Sequence, residues 1–151
     1  MEELIALLKQ KGYTIGSCES FTAGLFCASL ASVSGASAVL KGGVVTYATE
    51  VKINVVHVDR NIVDQYGVIS SECAKEMAVK TKQLLDVDVC VSFTGNAGPQ
   101  VMENKQGGLV YCAVAISDEV HVYEFNIQKS RNEVREEAVR LLCEKIKFLL
   151  S

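Results

Sequence analysis

Three short polar segments of the sequence contain the residue types that can do chemistry. They are ESFTAG (residues 19–24), YATEVK (47–52) and TGNAGP (94–99), and each follows a stretch whose composition predicts a β-strand. In an open α/β sheet the ligand crevice lies beyond the carboxyl ends of the strands, so segments distant in sequence can meet there. Glycine and alanine let a ligand approach backbone N–H groups closely, and helix N-termini bind anions. The pattern therefore indicates a site for a phosphate ester of nucleotide size.

The predicted substrate-binding residues of these segments are Thr22, Ala23, Gly24, Gly95, Ala97 and Gly98. A second interpretation stays open, because glycine and threonine after a strand are commonly turn and helix-cap residues. Ser20 then caps a helix, Lys52 is a solvated side chain, and Tyr47 packs in the core with its hydroxyl at the surface. The sequence contains no Gly-rich phosphate loop, no dinucleotide fingerprint and no serine elbow of the α/β-hydrolase type. Local spacing alone does not decide between the two interpretations.

Charge and cysteine usage exclude several classes of function. The net charge is −3, and no cluster of Lys and Arg is longer than a dipeptide, so direct nucleic-acid binding is not expected. The six cysteines stand far apart, without a C-x-x-C pair or a histidine at zinc-binding spacing. The sequence thus predicts no metal site and no cofactor. His57 and His121 match no motif, and we interpret both as structural.

The sequence predicts a cytoplasmic protein without a membrane partner. Several cysteines lie inside apolar runs, as buried free thiols do in a reducing compartment. The N-terminus MEELIALLKQKG is amphipathic and acidic at its start, unlike the basic and then apolar start of a signal peptide. No stretch approaches the roughly 18 consecutive apolar residues that indicate a membrane-spanning helix.

Periodicity and capping residues predict the helices that position these segments. An apolar stripe at residues 4–8 predicts a first helix ended by Gly12, and small and apolar residues at helical spacing predict a second helix closed by Gly35. Lys52 is expected in the first turn of a third helix. The predicted N-caps of the third, fourth and fifth helices are Thr49, Asp59 and Ser70, and the fourth and fifth helices are predicted to end near Gly67 and Leu85.

The remaining elements complete a mixed sheet. Strands are predicted at residues 13–18, 42–48, 87–93, 109–117 and 119–127. A single residue separates the last two, which predicts a β-hairpin. The S-x-x-E pattern of Ser130 and Glu133 has the form of a capping box at the start of the final helix. Strands that alternate with helices before a hairpin predict one three-layer α/β/α domain with a mixed sheet over residues 1–151.

These segments, in order along nearly the whole chain, resemble the motifs of the CinA C-terminal domain family. ESFTAG is similar to the family's ESCTGG, GGVVTYATEVK to GGVVxYSNEAK, and TGNAGP to (S/T)GIAGP. GVIS with the following Glu72 resembles GAVSxE, and SRNEVREEA resembles GDRxxVRxxA. The resemblance implies an anticodon-binding-domain-like α/β/α fold, frequently a homodimer, here as the stand-alone form without the extra N-terminal domain of some members. It also implies deamidation of nicotinamide mononucleotide to nicotinate mononucleotide and ammonia.

The resemblance also implies roles for individual residues. Carried over one by one, Ser20 takes the place of the nucleophile and Lys52 of its general base, with Tyr47 and Thr94 completing the polar cluster. A serine hydroxyl needs a neighbour that takes its proton, and a lysine can do so when desolvation lowers its pKa. Thr94 with the Gly95 amide is expected to hold the developing oxyanion. Arg131 and Arg135 match the family's paired arginines and are expected to hold the 5′-phosphate.

The chain also departs from the family's pattern. Phe21, Ala23, Thr49 and Asn96 replace a cysteine, a glycine, an asparagine and an isoleucine of the family motifs. After Pro99 the sequence reads QVMENKQGGLV, which is shorter than the family's glycine-rich stretch and lacks its proline and threonine. Two alternative functions therefore stay open. One is a catalytically impaired nucleotide-binding module that acts through a partner in competence, and the other is an amidase for a related nucleotide.

Overall fold

A five-stranded sheet forms the centre of the protein, described by a computed structural model of residues 1–151. The strands are β1 (Ile15–Glu19), β2 (Leu40–Val45), β3 (Val89–Gly95), β4 (Leu109–Ile116) and β5 (Glu119–Asn126). Their order in the sheet is β2-β1-β3-β4-β5. The first three strands are parallel, whereas β4 and β5 form an antiparallel hairpin. The carboxyl ends of β1, β2 and β3 therefore meet at one edge of the sheet, as the sequence predicted.

Helices cover both faces of this sheet. They are α1 (Glu2–Lys11), α2 (Leu25–Ala31), α3 (Thr49–Asn54), α4 (Arg60–Tyr66), α5 (Ser71–Leu85) and α6 (Arg131–Leu150). The largest core cluster joins α1, α2 and α6 to one face through side chains such as Phe26, Phe93 and Leu142. On the other face, Ala74 and Ala78 of α5 pack on alanines of β4, which lets the helix lie close to the strand. The three-layer arrangement agrees with the prediction.

Most of the predicted helix boundaries agree with the structure. Gly12 ends α1 in the left-handed conformation, with a φ of 69°. The side chains of Asp59 and Ser70 accept hydrogen bonds from the amides of Asn61 and Cys73, so both are the N-caps that the sequence predicted.

Three predicted caps were wrong in detail. The second helix ends at Ala31 with Ser32 as its C-cap, and Gly35 instead precedes a short 3-10 turn at Ala36–Ala38. Thr49 is the first residue of α3, and the cap position belongs to Ala48, which makes no side-chain hydrogen bond. At α6, the Ser130 hydroxyl donates to the Glu133 carboxylate instead of accepting from a backbone amide, so only part of a capping box forms.

The second strand ends earlier than predicted, at Val45 instead of residue 48. The carbonyl groups of Thr46 and Tyr47 accept hydrogen bonds from the Lys52 amine, so the chain leaves the sheet at this point. The Lys52 side chain thus contacts the main chain directly after the strand. No helix of the protein combines the length and the apolar content that a membrane span requires.

Candidate active site

Ser20 lies immediately after β1 at the edge of the sheet. Its amide donates to the carbonyl of Phe93 on the neighbouring strand at 2.9 Å, which holds Ser20 at the end of β3. The chain then turns sharply before α2, and the turn uses left-handed backbone at Ala23 (φ 50°) and Gly24 (φ 96°). Ser20 itself is buried to 8% exposure, and its hydroxyl caps no helix. The helix-cap interpretation of Ser20 is therefore wrong.

Glu19 holds this turn against the start of α2. Its buried carboxylate accepts hydrogen bonds from the amides of Phe26 at 2.8 Å and Cys27 at 3.2 Å, and from the Ser17 hydroxyl at 2.9 Å. These amides belong to the first turn of α2, where backbone N–H groups have no partner within the helix. The carboxylate therefore does the work of an N-cap from the preceding strand. The sequence pattern did not predict this role of Glu19.

Arg135 of α6 holds the same turn from the other side. Its Nε and Nη2 atoms each donate at 3.0 Å, to the carbonyl oxygens of Phe21 and Thr22. Because both bonds come from one planar guanidinium, they fix the orientation of the two peptide groups that follow Ser20. The structure thus places Arg135 on the turn that carries Ser20, and not in the cavity where a phosphate would be expected.

Lys52 is the closest ionisable group to Ser20. Its Nζ atom lies 2.9 Å from the Ser20 Oγ atom, 2.6 Å from the Thr46 carbonyl oxygen and 3.4 Å from the Tyr47 carbonyl oxygen. The side chain is 1% exposed, which rules out a solvated lysine. Burial lowers the pKa of the Lys52 amine below its ordinary value.

The surroundings of Lys52 suit a neutral amine. A neutral amine has two N–H groups and one lone pair, and the carbonyl oxygens of Thr46 and Tyr47 accept hydrogen bonds from the two N–H groups. The lone pair is then free for the Ser20 hydroxyl. The thiols of Cys18 and Cys73 lie in the buried cluster nearby, but burial raises the pKa of both, that of Cys73 to about 12. Neither thiol is therefore an anion that would keep the amine charged at neutral pH.

Tyr47 and Arg131 form a bridge above Ser20. The Arg131 guanidinium donates to the Tyr47 phenolic oxygen at 3.0 Å and to the Gly98 carbonyl at 2.8 Å. Tyr47 is 57% exposed, so it is not the core residue of the alternative interpretation. The bridge joins two of the three polar segments, and both side chains border the same cavity as Ser20.

Thr94 is brought near the site, but its hydroxyl is already engaged. It is buried and donates to the carbonyl of Val68 at 2.7 Å, so it supplies no free donor to an oxyanion. The Gly95 amide differs. The Asn96 amide donates to Leu109 of β4, and because amides alternate along an antiparallel ladder, the Gly95 N–H faces the opposite side, toward β1. Of the expected pair, the Gly95 amide is the donor available beside Ser20.

A cavity of about 290 Å³ opens onto the Ser20 hydroxyl. Its lining residues are Ser20, Phe21, Tyr47, Gly95, Asn96, Ala97, Gln100, Val101, Met102 and Arg131. A second cleft, of about 430 Å³, shares Ala97 and Arg131 with the first and is otherwise lined by Gly98, Pro99, Gly107, Gln128, Lys129 and Ser130. Among the predicted substrate-binding residues, Thr22, Ala23 and Gly24 line neither space. No group of three or more His, Cys, Asp or Glu side chains is placed to hold a metal ion.

Asn96 organises the loop that follows Pro99. Its side-chain nitrogen donates to the carbonyls of Met102 and Lys105, both at 3.1 Å, and its oxygen accepts from the Met102 amide at 3.0 Å. The family's isoleucine offers no such bonds. The change to asparagine and the altered loop sequence are therefore two parts of one local structure, which the sequence showed only as separate departures.

Two charged side chains fasten the same loop to the segment between α4 and α5. The Glu103 carboxylate accepts from the amides of Val68 and Ile69, at 2.9 and 3.1 Å. The Lys105 amine donates to the carbonyls of Tyr66 and Ile69 and pairs with Glu103 at 3.1 Å. Nothing in the motifs pointed to these two residues.

Comparison with known proteins identifies the family of this chain. The model of the CinA C-terminal domain matches residues 1–149. The chain belongs to this family. A Bacillus anthracis protein named as a competence-damage inducible protein is 41% identical over 140 residues, which cover 92% of this chain and 34% of the relative. A protein of the same name from Listeria welshimeri is 39% identical over 150 residues, covering 99% and 36%. The chain thus spans about a third of the length of these relatives.

Solved structures of the family have the same fold. A CinA superfamily protein from Klebsiella pneumoniae superimposes with a TM-score of 0.96 at 25% identity, covering 98% of this chain and 93% of the other. The competence/damage inducible protein CihA from Agrobacterium tumefaciens gives a TM-score of 0.93 at 28% identity, covering 99% and 92%. The predicted single α/β domain with a mixed sheet is therefore confirmed.

Proposed function

We propose that this CinA-family chain is an amidohydrolase that converts nicotinamide mononucleotide and water to nicotinate mononucleotide and ammonia. The observation that carries the proposal is the pair of Ser20 and Lys52, with Oγ and Nζ 2.9 Å apart and the amine almost fully buried. A serine and a buried lysine at hydrogen-bond distance supply a nucleophile and its base without a metal ion. The substrate itself is proposed from the family's motifs.

The proposed first step forms an acyl-enzyme. The Ser20 oxygen attacks the amide carbonyl carbon while its proton passes to the neutral amine of Lys52. The negative charge on the carbonyl oxygen is stabilised by the Gly95 N–H, in the role of an oxyanion-hole donor. The C–N bond then breaks as Lys52 gives the proton to the leaving nitrogen, and ammonia departs.

The proposed second step releases the acid. A water molecule attacks the acyl ester and transfers a proton to Lys52, and the C–O bond to Ser20 breaks as the lysine returns that proton to the serine oxygen. Lys52 thus acts as base and acid in turn, which requires a pKa near the working pH. Desolvation of its amine lowers its pKa in that direction.

The two neighbouring spaces suit the two ends of a mononucleotide. The cavity at Ser20 would take the amide and its ring. The second cleft contains Lys129 and Arg131 beside the N-terminus of α6, where positive charge and free amides favour the 5′-phosphate. Arg135 is committed to the turn of Ser20, so in this proposal it positions the nucleophile, and Arg131 keeps the expected phosphate role. The homodimer expected for the family stays a prediction.

Ammonia release from nicotinamide mononucleotide, measured with chelator present, tests the proposal. We expect activity in wild-type protein and in the surface control Lys11→Met, and loss of nearly all activity in Lys52→Met. Activity that disappears with chelator and returns with a divalent ion would contradict the Ser/Lys mechanism. Binding of the nucleotide without any ammonia release would favour the nucleotide-binding module instead. Release from a purine nucleotide amide, but not from this substrate, would favour the related amidase.

A further inference from the structure

Two apolar side chains of the loop after Pro99 stand exposed beside the nucleophile. Val101 is 48% exposed and Met102 is 54% exposed, and both line the cavity that opens onto Ser20. Phe21 contributes a further apolar surface to the same cavity. Large exposed apolar side chains grouped at a cavity are typical of a ligand contact, because exposure of apolar surface to water is unfavourable and a ligand can cover it.

The backbone that presents these side chains is fixed in place. Asn96 binds both the amide and the carbonyl of Met102, which determines the position of that residue relative to β3. Glu103, the next residue, accepts from two backbone amides of the segment between α4 and α5. Met102 is thus held on both sides by buried or half-buried polar contacts, and it offers a preformed surface instead of a mobile one.

We infer that Val101 and Met102 form an apolar wall that selects an aromatic acyl group for attack by Ser20. This inference rests on the proposed amidase function and names the part of the substrate that the wall recognises. A planar aromatic carboxamide gains apolar burial and a sulfur–aromatic contact with Met102. A charged or strongly hydrogen-bonding aliphatic acyl group would lose water there without gaining a partner from these two side chains.

Methyl NMR of the Ser20→Ala variant tests the contact without turnover. The chain has three methionines, of which Met77 is fully buried and provides an internal reference. We expect saturating nicotinamide mononucleotide to shift the Met102 methyl signal through the ring current of the bound base, and ribose 5-phosphate to leave it unmoved. Nucleotide binding, seen in backbone amide signals, with an unmoved Met102 methyl would overturn the inference.

A second measurement uses the reactivity of Ser20 and needs no nucleotide. Phenylmethanesulfonyl fluoride and methanesulfonyl fluoride both react with an activated serine: the Oγ–S bond forms, fluoride leaves, and the serine proton passes to Lys52. We expect Met102→Gln to lower the aryl-to-alkyl ratio of inactivation rates about fivefold, in line with the strength of a sulfur–aromatic contact. The control Leu84→Gln removes an equally exposed apolar side chain from α5 and should leave the ratio unchanged.

The two measurements separate the inference from the proposed function. An unchanged rate ratio in Met102→Gln overturns the apolar wall even where Ser20 is labelled and ammonia is released. A lowered ratio supports the wall even where nicotinamide mononucleotide is not hydrolysed, and the proposed substrate alone is then wrong. If neither reagent labels Ser20 and the nucleotide does not bind, both the proposed function and the wall are overturned.

Discussion

The Lys52 Nζ atom lies 2.9 Å from the Ser20 Oγ atom, across 32 residues of sequence, at the point where β1 ends and α3 begins. If the two groups act as one unit, Ser20→Ala and Lys52→Met should each lower kcat about a thousandfold or more. The kcat of the double variant should be close to that of either single variant, because each residue contributes to catalysis only while the other is present. Steady-state ammonia release from the four proteins measures this coupling. If the loss of kcat in the double variant equals the product of the two single losses, Ser20 and Lys52 do not act as one unit.

The buried amine also predicts a pH dependence of activity. The base must be neutral, so kcat/KM should rise with pH through the pKa of Lys52, and that pKa is lowered by burial. The rising limb should therefore lie below the ordinary lysine value of about 10.4. A pH–rate profile between pH 5 and about pH 10 checks this expectation. A limb whose midpoint lies at the ordinary value would mean that the pKa of Lys52 is not lowered in the working enzyme.

The protonation of Lys52 should also make the free energy of unfolding depend on pH. Because the pKa of Lys52 is lower in the folded state, the unfolded chain binds the proton more tightly between the folded and unfolded pKa values. The free energy of unfolding attributable to Lys52 therefore rises with pH across that window. Urea titrations of wild type and Lys52→Met at several pH values measure this contribution, to which the thiols of Cys18 and Cys73 add only through their interaction with Lys52. Equal pH slopes in the two proteins would rule out the shifted lysine.

The two arginines should affect different kinetic constants. Arg131→Ala is expected to raise KM about tenfold with little change in kcat, since a phosphate contact binds ground state and transition state alike. Arg135→Ala is expected to lower kcat about ten- to a hundredfold, since the turn that carries Ser20 loses its alignment. Arg140→Ala, which breaks an exposed pair with Glu137, is the control on the same helix. A rise in KM without a change in kcat for Arg135→Ala would indicate that Arg135 binds the substrate phosphate instead.

Ala23 predicts a gain of stability on substitution. Its φ of 50° lies in the left-handed region, which costs a residue with a Cβ atom about 1–2 kcal/mol. Glycine relieves this strain, but it lowers the free energy of unfolding by about 0.4–1 kcal/mol because it increases the conformational entropy of the unfolded chain. Ala23→Gly should therefore raise the free energy of unfolding by roughly 0.5–1 kcal/mol in urea titrations. The control Ala6→Gly, at an exposed position inside α1 where φ is helical, should lower it.

The sequence predicted those features that depend on near neighbours. The helix caps at Asp59 and Ser70 and the left-handed end at Gly12 follow from residues within a few positions of each other. The parallel strand edge follows from the alternation of strands and helices along the chain. The motifs of the family placed Ser20 and Lys52 together, although 32 residues separate them.

What the sequence could not predict depends on distant backbone atoms. Arg135 donates to carbonyls 113 and 114 residues away, and the Thr94 hydroxyl donates to a carbonyl 26 residues away. A carbonyl oxygen has the same chemistry in every residue, so no side-chain pattern marks these acceptors. The same holds for Glu103, whose partners distant in sequence are two backbone amides.

The fastening of the loop after Pro99 has a consequence for how it can be moved between proteins. Its side chains Glu103 and Lys105 fasten it to main-chain atoms of the segment from Tyr66 to Ile69. On the other side, the side chains of Asn126, Gln128 and Arg131 bond to Gln106, Gly107 and Gly98 of the loop. The segment therefore supplies its own attachment groups on one side only, and on the other side it depends on three side chains of the surrounding protein. Residues 96–107 grafted onto another member of the fold should therefore keep their position only when Asn126, Gln128 and Arg131 are transferred with them.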